Sequence, residues 1–245
     1  MSRAVLVTGA SRGIGRAVAE RFAAHGDRVA LHYASRREAA EEAIAALEGS
    51  GHVLIQGDVG TPDGAAAVVE AAVTGLGGVD VLVNNAATNV AHPLDGTSFE
   101  DWHHAWRQIV DVNLLGAAHV SYGAARNMIE RAVEGRIIHI GSRGAYRGEP
   151  DHPAYGATKA ALHAMGQSLA VHLAPHGIAV ASVAPGFVAT ERVADRLTDG
   201  VRQQSPFGRV ASPEDVAAAV HYLASPEAVW SSGAVLDVNG ASHLR

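Results

Sequence analysis

The sequence contains no cysteine and few aromatic residues, with three tryptophans, five tyrosines and four phenylalanines among 245 residues. Without cysteine there are no disulfides, no thiol nucleophiles and no cysteine-ligated metals. The chain is 48% hydrophobic but only 5% aromatic. Its core must therefore be built from many small helix–sheet contacts rather than from large aromatic side chains.

The chain also lacks a basic surplus and a long apolar run, and its first residues do not lead us to expect a secretion signal. Its net charge of −6 and pI near 6.1 argue against a nucleic-acid partner, which would be held by neutralising phosphates. An apolar strand pattern begins at once in "RAVLVTG" (3–9), and no apolar run approaches membrane-spanning length. We therefore expect a soluble, cytoplasmic protein with no membrane partner.

Fourteen histidines raise the question of a metal site. No H-E-x-x-H motif occurs, and the adjacent His103 and His104 would point to different sides of a helix. His152 lies on a polar loop, where a surface role is the simpler interpretation. We expect the histidines to be surface or packing residues and predict no metal.

Short apolar runs alternate along the chain with alanine-rich helical segments. The runs are mostly continuous, as in strands that are covered on both faces, and the alternation indicates right-handed βαβ crossovers. No linker or repeat divides the chain, so we predict one doubly wound Rossmann-type α/β domain over 1–245 with a parallel sheet of about seven strands. The predicted strands are 4–8, 28–33, 52–56, 79–84, 136–141, 178–184 and 234–238, and the predicted helices are 13–25, 36–48, 62–76, 98–133, 153–174 and 212–223.

A glycine-rich turn, Thr8-Gly9-x-x-x-Gly13-x-Gly15, joins the first predicted strand to the first helix. Such a turn can be purely structural. Its place at the first βα junction, however, is where glycines let the backbone approach a pyrophosphate and the helix N-terminus attracts an anion. The spacing resembles the nucleotide loop of the classical short-chain dehydrogenase/reductase (SDR) family.

Further motifs of that family follow in order and cover nearly the whole chain: "GDV" (57–59), "NNAA" (84–87), "VNLLG" (112–116), "IGS" (140–142), "YGATK" (155–159) and "PGFVAT" (185–190). Ala87 departs from the family's glycine. The pattern is most similar to 3-oxoacyl-acyl-carrier-protein reductases, although His176 stands where those enzymes often have arginine. The resemblance implies an NAD(P)-dependent oxidoreductase that acts on a small-molecule carbonyl substrate. It also implies a homotetramer formed through the two long helices and the C-terminal segment.

Tyr155 and Lys159 are four residues apart, so they share a helix face, where a cation lowers the pKa of a phenol. Alone, this pattern would also suit an amphipathic surface helix. The resemblance implies that Tyr155 donates the proton, and that Lys159 tunes it and binds the nicotinamide ribose. It further implies that Ser142 binds the carbonyl and that Asn113, at a helix distortion, holds a relay water. This complete set favours an enzyme over a non-catalytic nucleotide-binding protein.

The resemblance also implies which residues bind the cofactor. They are Gly9, Ser11, Arg12, Gly13, Ile14, Gly15, Arg36, Asp58, Val59, Asn85, Ala86, Tyr155, Lys159, Pro185, Gly186, Val188 and Thr190.

The end of the second strand indicates which dinucleotide is used. An acid there binds the ribose of NAD, whereas a nearby arginine accepts the 2′-phosphate of NADP. The position holds Tyr33, and Arg12 and Arg36 are the candidate phosphate ligands, while Arg37 is interpreted as solvated. We predict NADPH-dependent carbonyl reduction, with NADP(H) preferred over NAD(H). An NAD-linked polyol or sugar dehydrogenase is the alternative.

The substrate region is expected in loop 142–152, "SRGAYRGEPDH", together with a variable lid at 187–208. Many family members carry smaller or more apolar residues directly after the serine. The polar loop therefore suits a polar or anionic carbonyl substrate, although a solvated loop would have the same composition.

Overall fold

One seven-stranded parallel sheet organises the chain. The structure, a computed structural model, describes residues 2–244 without the side chains at positions 192, 195 and 196. All neighbouring strands are parallel, in the order β3-β2-β1-β4-β5-β6-β7. The predicted Rossmann-type α/β class is confirmed. The strands are β1 (Ala4–Val7), β2 (Arg28–Tyr33), β3 (Val53–Gln56), β4 (Val81–Asn84), β5 (Arg136–Ile140), β6 (Ala179–Pro185) and β7 (Val235–Val238).

The helices cover both faces of this sheet. They are α1 (Gly13–Ala24), α2 (Arg37–Ala45), α3 (Pro62–Leu76), α4 (Phe99–Val110), α5 (Ala117–Glu130), α6 (Pro153–Leu173), α7 (Asp199–Arg202) and α8 (Pro213–Leu223). The predicted helix 98–133 is α4 and α5 joined by a π-helix, Asp111–Gly116. Short 3-10 helices cover Arg143–Ala145, Ala174–His176, Glu191–Arg196 and Pro226–Ser231. Within residues 2–244, no helix is both long enough and apolar enough to cross a membrane.

Two apolar layers lie on either side of the sheet. Along β1, Val5 and Val7 belong to the layer beneath α1, α2 and α8, whereas Ala4 and Leu6 belong to the layer beneath α3, α5 and α6. Successive strand side chains point to opposite faces, so a strand covered on both faces needs apolar residues throughout. This explains the continuous apolar runs in the sequence.

The strand order reverses between β1 and β4, and this reversal positions the site. β1 continues to β2 and β3 on one side, while β4 continues to β5 and beyond on the other. The segments that follow β1 and β4 therefore diverge and leave a crevice beyond the carboxyl ends of the strands. The glycine turn follows β1, and Asn85 follows β4 directly.

Candidate active site

A cavity of about 530 Å³ lies in this crevice. Except for Asn113, every residue predicted to bind the cofactor or to act in catalysis contributes to its wall. Those residues are Gly9, Ser11, Arg12, Gly13, Ile14, Gly15, Arg36, Asp58, Val59, Asn85, Ala86, Ser142, Tyr155, Lys159, Pro185, Gly186, Val188 and Thr190.

The glycine turn brings the start of α1 unusually close to its neighbours. Gly9 and Gly13 have φ angles of 65° and 55°, in the left-handed region that glycine tolerates best. A Cβ on Gly15 would collide with the Asn85 amide and with the Gly9 carbonyl. No side chain caps α1 at Arg12, and its first turn holds no acid. The helix N-terminus can therefore receive an anion.

Asn85 and Thr8 hold the turn against β4. The Asn85 amide donates to the carbonyls of Thr8 and Gly9, both at 2.9 Å. In return, the Thr8 hydroxyl oxygen accepts from the backbone N–H groups of Asn85 and Ala86, both at 3.0 Å. The predicted cofactor residues after β4 thus support the turn directly, as well as lining the cavity.

His32 supports the turn from the other side, and sequence reasoning missed this role. Its Nδ1 accepts from the Gly9 N–H at 3.1 Å, and its Nε2 lies 3.1 Å from the Gly57 carbonyl oxygen. Burial lowers the pKa of His32, which keeps the ring neutral and preserves the Nδ1 lone pair. The only signal in the sequence is a histidine within the apolar run "RVALHY".

No carboxylate follows β2 on the cavity wall. Tyr33 occupies the position where NAD-binding relatives have aspartate; it is buried, and its hydroxyl donates to the Gln56 side chain at 3.3 Å. Among the described side chains, the acids on the wall are Asp58 and Glu149, neither of them from the end of β2. The site therefore lacks the group that would bind a free ribose hydroxyl at this position.

The three arginines of this region differ in their surroundings. Arg36 is exposed and lines the cavity, and Arg12 lines it with its Nη1 3.9 Å from a carboxylate oxygen of the exposed Glu191. Arg37 lies outside the wall and pairs with Glu41, one turn along α2, at 2.7 Å. The geometry agrees with the interpretation of Arg37 as a solvated residue.

At the other end of the cavity, α6 brings Tyr155 and Lys159 beside the end of β5. Lys159 is buried, and its Nζ donates to the Ile140 carbonyl at 2.7 Å. The same Nζ lies 5.6 Å from the centre of the Tyr155 ring. Ser142 follows β5, and its Oγ accepts from the Gly144 N–H at 2.9 Å. A phenol, an ammonium and a hydroxyl are thus gathered in one cavity.

His92 fixes the first turn of α6, and this contact was also missed. Its backbone N–H donates to the Asp151 carbonyl at 2.8 Å, and its Nε2 accepts from the Ala154 N–H at 3.2 Å. Since Nδ1 lies 2.7 Å from the Val90 carbonyl, we assign the ring proton to Nδ1. The residue before Tyr155 is thereby held by a side chain from outside the helix.

Asn113 lies inside the π-helix, at the distortion that the family resemblance implied. Its side chain is buried: Oδ1 accepts from the Thr88 N–H at 2.8 Å, and Nδ2 donates to the Thr88 carbonyl at 3.0 Å. Nδ2 also lies 3.4 Å from the Thr158 hydroxyl. The amide thus faces the chain rather than the cavity, and the expected relay water stays a prediction.

Two buried histidines lie near Lys159. His139 of β5 accepts at Nδ1 from the Asn84 amide at 3.2 Å, and its buried Nε2 has no hydrogen-bond partner among the described residues. Burial, followed by the charges of His163 and Lys159, lowers the pKa of His139 to about 3. The His163 ring stacks on Tyr146 with centroids 5.4 Å apart. Both side chains are buried, as expected of packing residues.

Loop 142–152 divides between the cavity and the surface. Arg143 and Glu149 line the cavity, whereas His152 lies outside its wall, with Nδ1 3.3 Å from the Val90 carbonyl. Among the residues that the structure describes, no group of three histidine, aspartate or glutamate side chains could hold a metal ion.

Comparison with known proteins gives the chain close relatives over its whole length. The family model described as "Enoyl-(Acyl carrier protein) reductase" matches residues 9–243. The 3beta-hydroxysteroid dehydrogenase 1 of Eggerthella lenta is 36% identical over 99% of this chain and 94% of its own. The 3-oxoacyl-[acyl-carrier-protein] reductase FabG of Staphylococcus aureus is 34% identical over 100% and 99%, which agrees with the similarity predicted from the motifs.

A solved structure shows the same fold. A variant of a Serratia marcescens short-chain dehydrogenase/reductase superposes with a TM-score of 0.89 at 34% identity. The match covers 97% of this chain and 96% of that one.

Proposed function

The chain belongs to the short-chain dehydrogenase/reductase family, and we propose that it is an NADPH-dependent enzyme that reduces a ketone to a secondary alcohol. Membership in this family makes it an NAD(P)-dependent oxidoreductase acting on CH–OH or C=O groups. The proposal adds the cofactor preference and the direction. One observation carries it: a single cavity joins an anion-binding glycine turn to Tyr155, Lys159 and Ser142.

The glycine turn suits a dinucleotide. A Cβ on Gly15 would collide with Asn85 and with the Gly9 carbonyl, so glycine at this position lets α1 begin close against the turn, with its N-terminus at the crevice where a pyrophosphate can bind. We assign the pyrophosphate to this turn, the adenine to Asp58 and Val59, and the nicotinamide end to the segment from Pro185 to Thr190. When bound, the dinucleotide supplies the hydride for reduction.

The residues beside Lys159 supply the proton chemistry. Tyr155 gives its hydroxyl proton to the substrate oxygen, and the Lys159 ammonium stabilises the phenolate that results. Because Ser142 Oγ already accepts from Gly144, its own proton remains available to the substrate oxygen. Asn113 holds Thr88, which lines the cavity, and we assign it a positioning role in addition to the relay predicted from the family.

NADPH is preferred because the guanidinium groups of Arg12 and Arg36 line the cavity, while Tyr33 occupies the position where NAD-binding relatives carry an acid. A hydrogen bond to a charged group contributes roughly 1.5–3 kcal/mol, and about 1.4 kcal/mol is a factor of ten. Loss of both Arg12 and Arg36 should therefore reduce the preference for NADPH at least tenfold. The Arg12–Glu191 contact competes weakly, since it is long and Glu191 is exposed.

A kinetic experiment tests the function and the preference together. A panel of ketones, diketones, sugars and β-ketoacyl thioesters is assayed by NADPH absorbance, and kcat/KM is then measured with NADPH and NADH. The Arg12→Ala/Arg36→Ala double variant should lose the preference, while Arg37→Ala, which removes the neighbouring solvated charge, should keep it. Equal use of both cofactors by the wild type would refute the preference for NADPH. Better use of NADH would favour the NAD-linked alternative, a polyol or sugar dehydrogenase.

We also propose that residues 1–245 form one catalytic domain with 187–208 as its lid, assembled as a homotetramer. Three exposed apolar side chains support the assembly: Tyr122 on α5 is 72% exposed, Val171 on α6 is 80% exposed, and Trp230 near the C-terminal strand is 99% exposed. Apolar side chains as exposed as these favour contact with another subunit.

A further inference from the structure

Arg143 is a buried cation in the wall of the substrate cavity. It follows Ser142 and opens the 3-10 helix Arg143–Ala145, and its side chain is only 5% exposed. It lines the 530 Å³ cavity and also a neighbouring cavity of about 330 Å³ beneath the lid. The guanidinium therefore lies between the reacting groups and the lid.

Among the residues that the structure describes, this guanidinium has no carboxylate as a hydrogen-bond partner. Its hydrogen bonds run from Nη1 to two neutral oxygens, Gln204 Oε1 at 3.0 Å and Ser242 Oγ at 2.8 Å. No described carboxylate forms an ion pair with it, and neither Nε nor Nη2 donates to a described residue. Burial and then the charge of Arg147 lower the pKa of Arg143, while Glu149 opposes this effect. Removing a charge from water without a partner is costly.

A structural role accounts for only part of this arrangement. Nη1 connects the lid to the C-terminal segment, because it donates to Gln204 of the lid and to Ser242 near the C-terminus. The guanidinium carbon also lies 5.4 Å from the centre of the Phe187 ring. Both contacts leave the edge formed by Nε and Nη2 without a partner from the described chain. That planar edge matches the two oxygens of a carboxylate.

We infer that Arg143 binds a carboxylate of the substrate, so that the enzyme acts on short oxo acids and the corresponding hydroxy acids. This inference rests on the proposed function and adds the substrate class to it. Ser142 and Arg143 line the same cavity, so one small substrate can place its carbonyl at Ser142 and its carboxylate at Arg143. The nearby Glu149 repels any anion at this edge, and it repels a phosphate dianion more strongly than a monoanionic carboxylate, so the carboxylate is the better fit.

The test compares each acid with its uncharged ester. Oxo acids of three to eight carbons, with the carbonyl at position 2, 3 or 4, are assayed beside their methyl esters under saturating NADPH. The wild type should prefer at least one acid over its ester. Arg143→Met should then raise KM for that acid roughly 10- to 150-fold, the range expected for a charged hydrogen bond. The ester should stay within about threefold, because its contacts lack the charge-assisted bond.

Arg147→Gln is the matched control. Arg147 is exposed and reaches the same Gln204 oxygen at 3.4 Å, so this variant removes a nearby charge and a lid contact but not the buried guanidinium. It should leave the preference for the acid unchanged. Arg143→Lys should recover part of the affinity for the acid.

Three results overturn the inference. In the first, esters are reduced as well as their acids by the wild type across the panel. In the second, Arg143→Met weakens acid and ester equally, which would identify the residue as a structural tie. In the third, Arg143→Met raises KM for NADPH instead, which would assign the guanidinium to the cofactor. Failure of the proposed function looks different: no acid, ester or neutral ketone would be turned over with either cofactor.

Discussion

Acid should destabilise this protein through His139, whose ring is buried in β5. The pKa of His139 is lowered from 6.5 to about 3, first by burial and then by the charges of His163 and Lys159. His139 therefore binds a proton below about pH 6.5 in the unfolded chain, but only below about pH 3 in the folded chain. The contribution of His139 to the free energy of unfolding is fully present above pH 6.5, and it is lost progressively as the pH drops from 6.5 towards 3.

The size of the effect follows from these two pKa values. Between pH 7 and pH 5 the unfolded histidine becomes almost fully protonated, whereas the folded one stays neutral. At about 1.36 kcal/mol per pKa unit, this difference lowers the free energy of unfolding by about 2 kcal/mol. Below pH 3 the total reaches about 5 kcal/mol. His32, whose pKa burial also lowers, adds to the same trend.

Urea denaturation of wild type and His139→Asn at pH 7 and pH 5, at one protomer concentration, isolates this contribution. The asparagine keeps an acceptor for the Asn84 amide but cannot titrate. We expect the wild type to lose about 2 kcal/mol more than the variant between the two pH values. The exposed His176→Asn should behave like wild type. Parallel losses in wild type and His139→Asn would refute the reasoning.

Other perturbations test the site and the assembly. Tyr155→Phe should bind NADPH normally by fluorescence titration but lose most turnover, whereas Lys159→Ala should lose both NADPH binding and turnover. Near-normal turnover by Tyr155→Phe would rule out Tyr155 as the proton donor. Gly15→Ala should abolish NADPH binding in calorimetry while the circular dichroism spectrum is retained, because the added methyl displaces the Asn85 amide from its hydrogen bonds to the glycine turn. His92→Ala should lower kcat more than it raises KM for NADPH and destabilise the protein by roughly 1–3 kcal/mol, since the Ala154 N–H loses its acceptor. Light scattering should give a tetramer for the wild type and smaller species for Trp230→Lys; a 25.3 kDa monomer would contradict the proposed assembly.

The strands and long helices could be predicted because burial imposes a local pattern on them. β6 is covered on both faces, so every residue from Ala179 to Pro185 is buried, and the run is visible as continuous apolar sequence. The sequence pattern does not predict the helix within the lid, because α7 is only four residues long and its helix signals are local caps such as Thr198. A helix of one turn has no hydrophobic period to detect.

In the site, too, the residues that could be predicted belong to short motifs, and the residues that were missed make contacts with parts of the chain far away in the sequence. Tyr155, Lys159 and the glycines stand in motifs whose spacing reflects one turn of helix or one turn of chain. His92 contacts Ala154 from 62 positions away, and His32 contacts Gly9 from 23 positions away. No local spacing connects such pairs, so they become visible only when the sheet brings them together.

The supports of the glycine turn affect how the coenzyme binds. Asn85, Thr8 and His32 hold the turn in shape through the chain's own hydrogen bonds, so the loss of backbone entropy accompanies folding rather than binding. A preorganised site of this kind should bind its ligand with little rearrangement. Coenzyme that binds only the folded protein stabilises it by RT ln(1 + [L]/Kd), about 2.7 kcal/mol at a hundredfold excess over Kd. The cellular concentration of the coenzyme would thus help to set the resistance of this enzyme to unfolding.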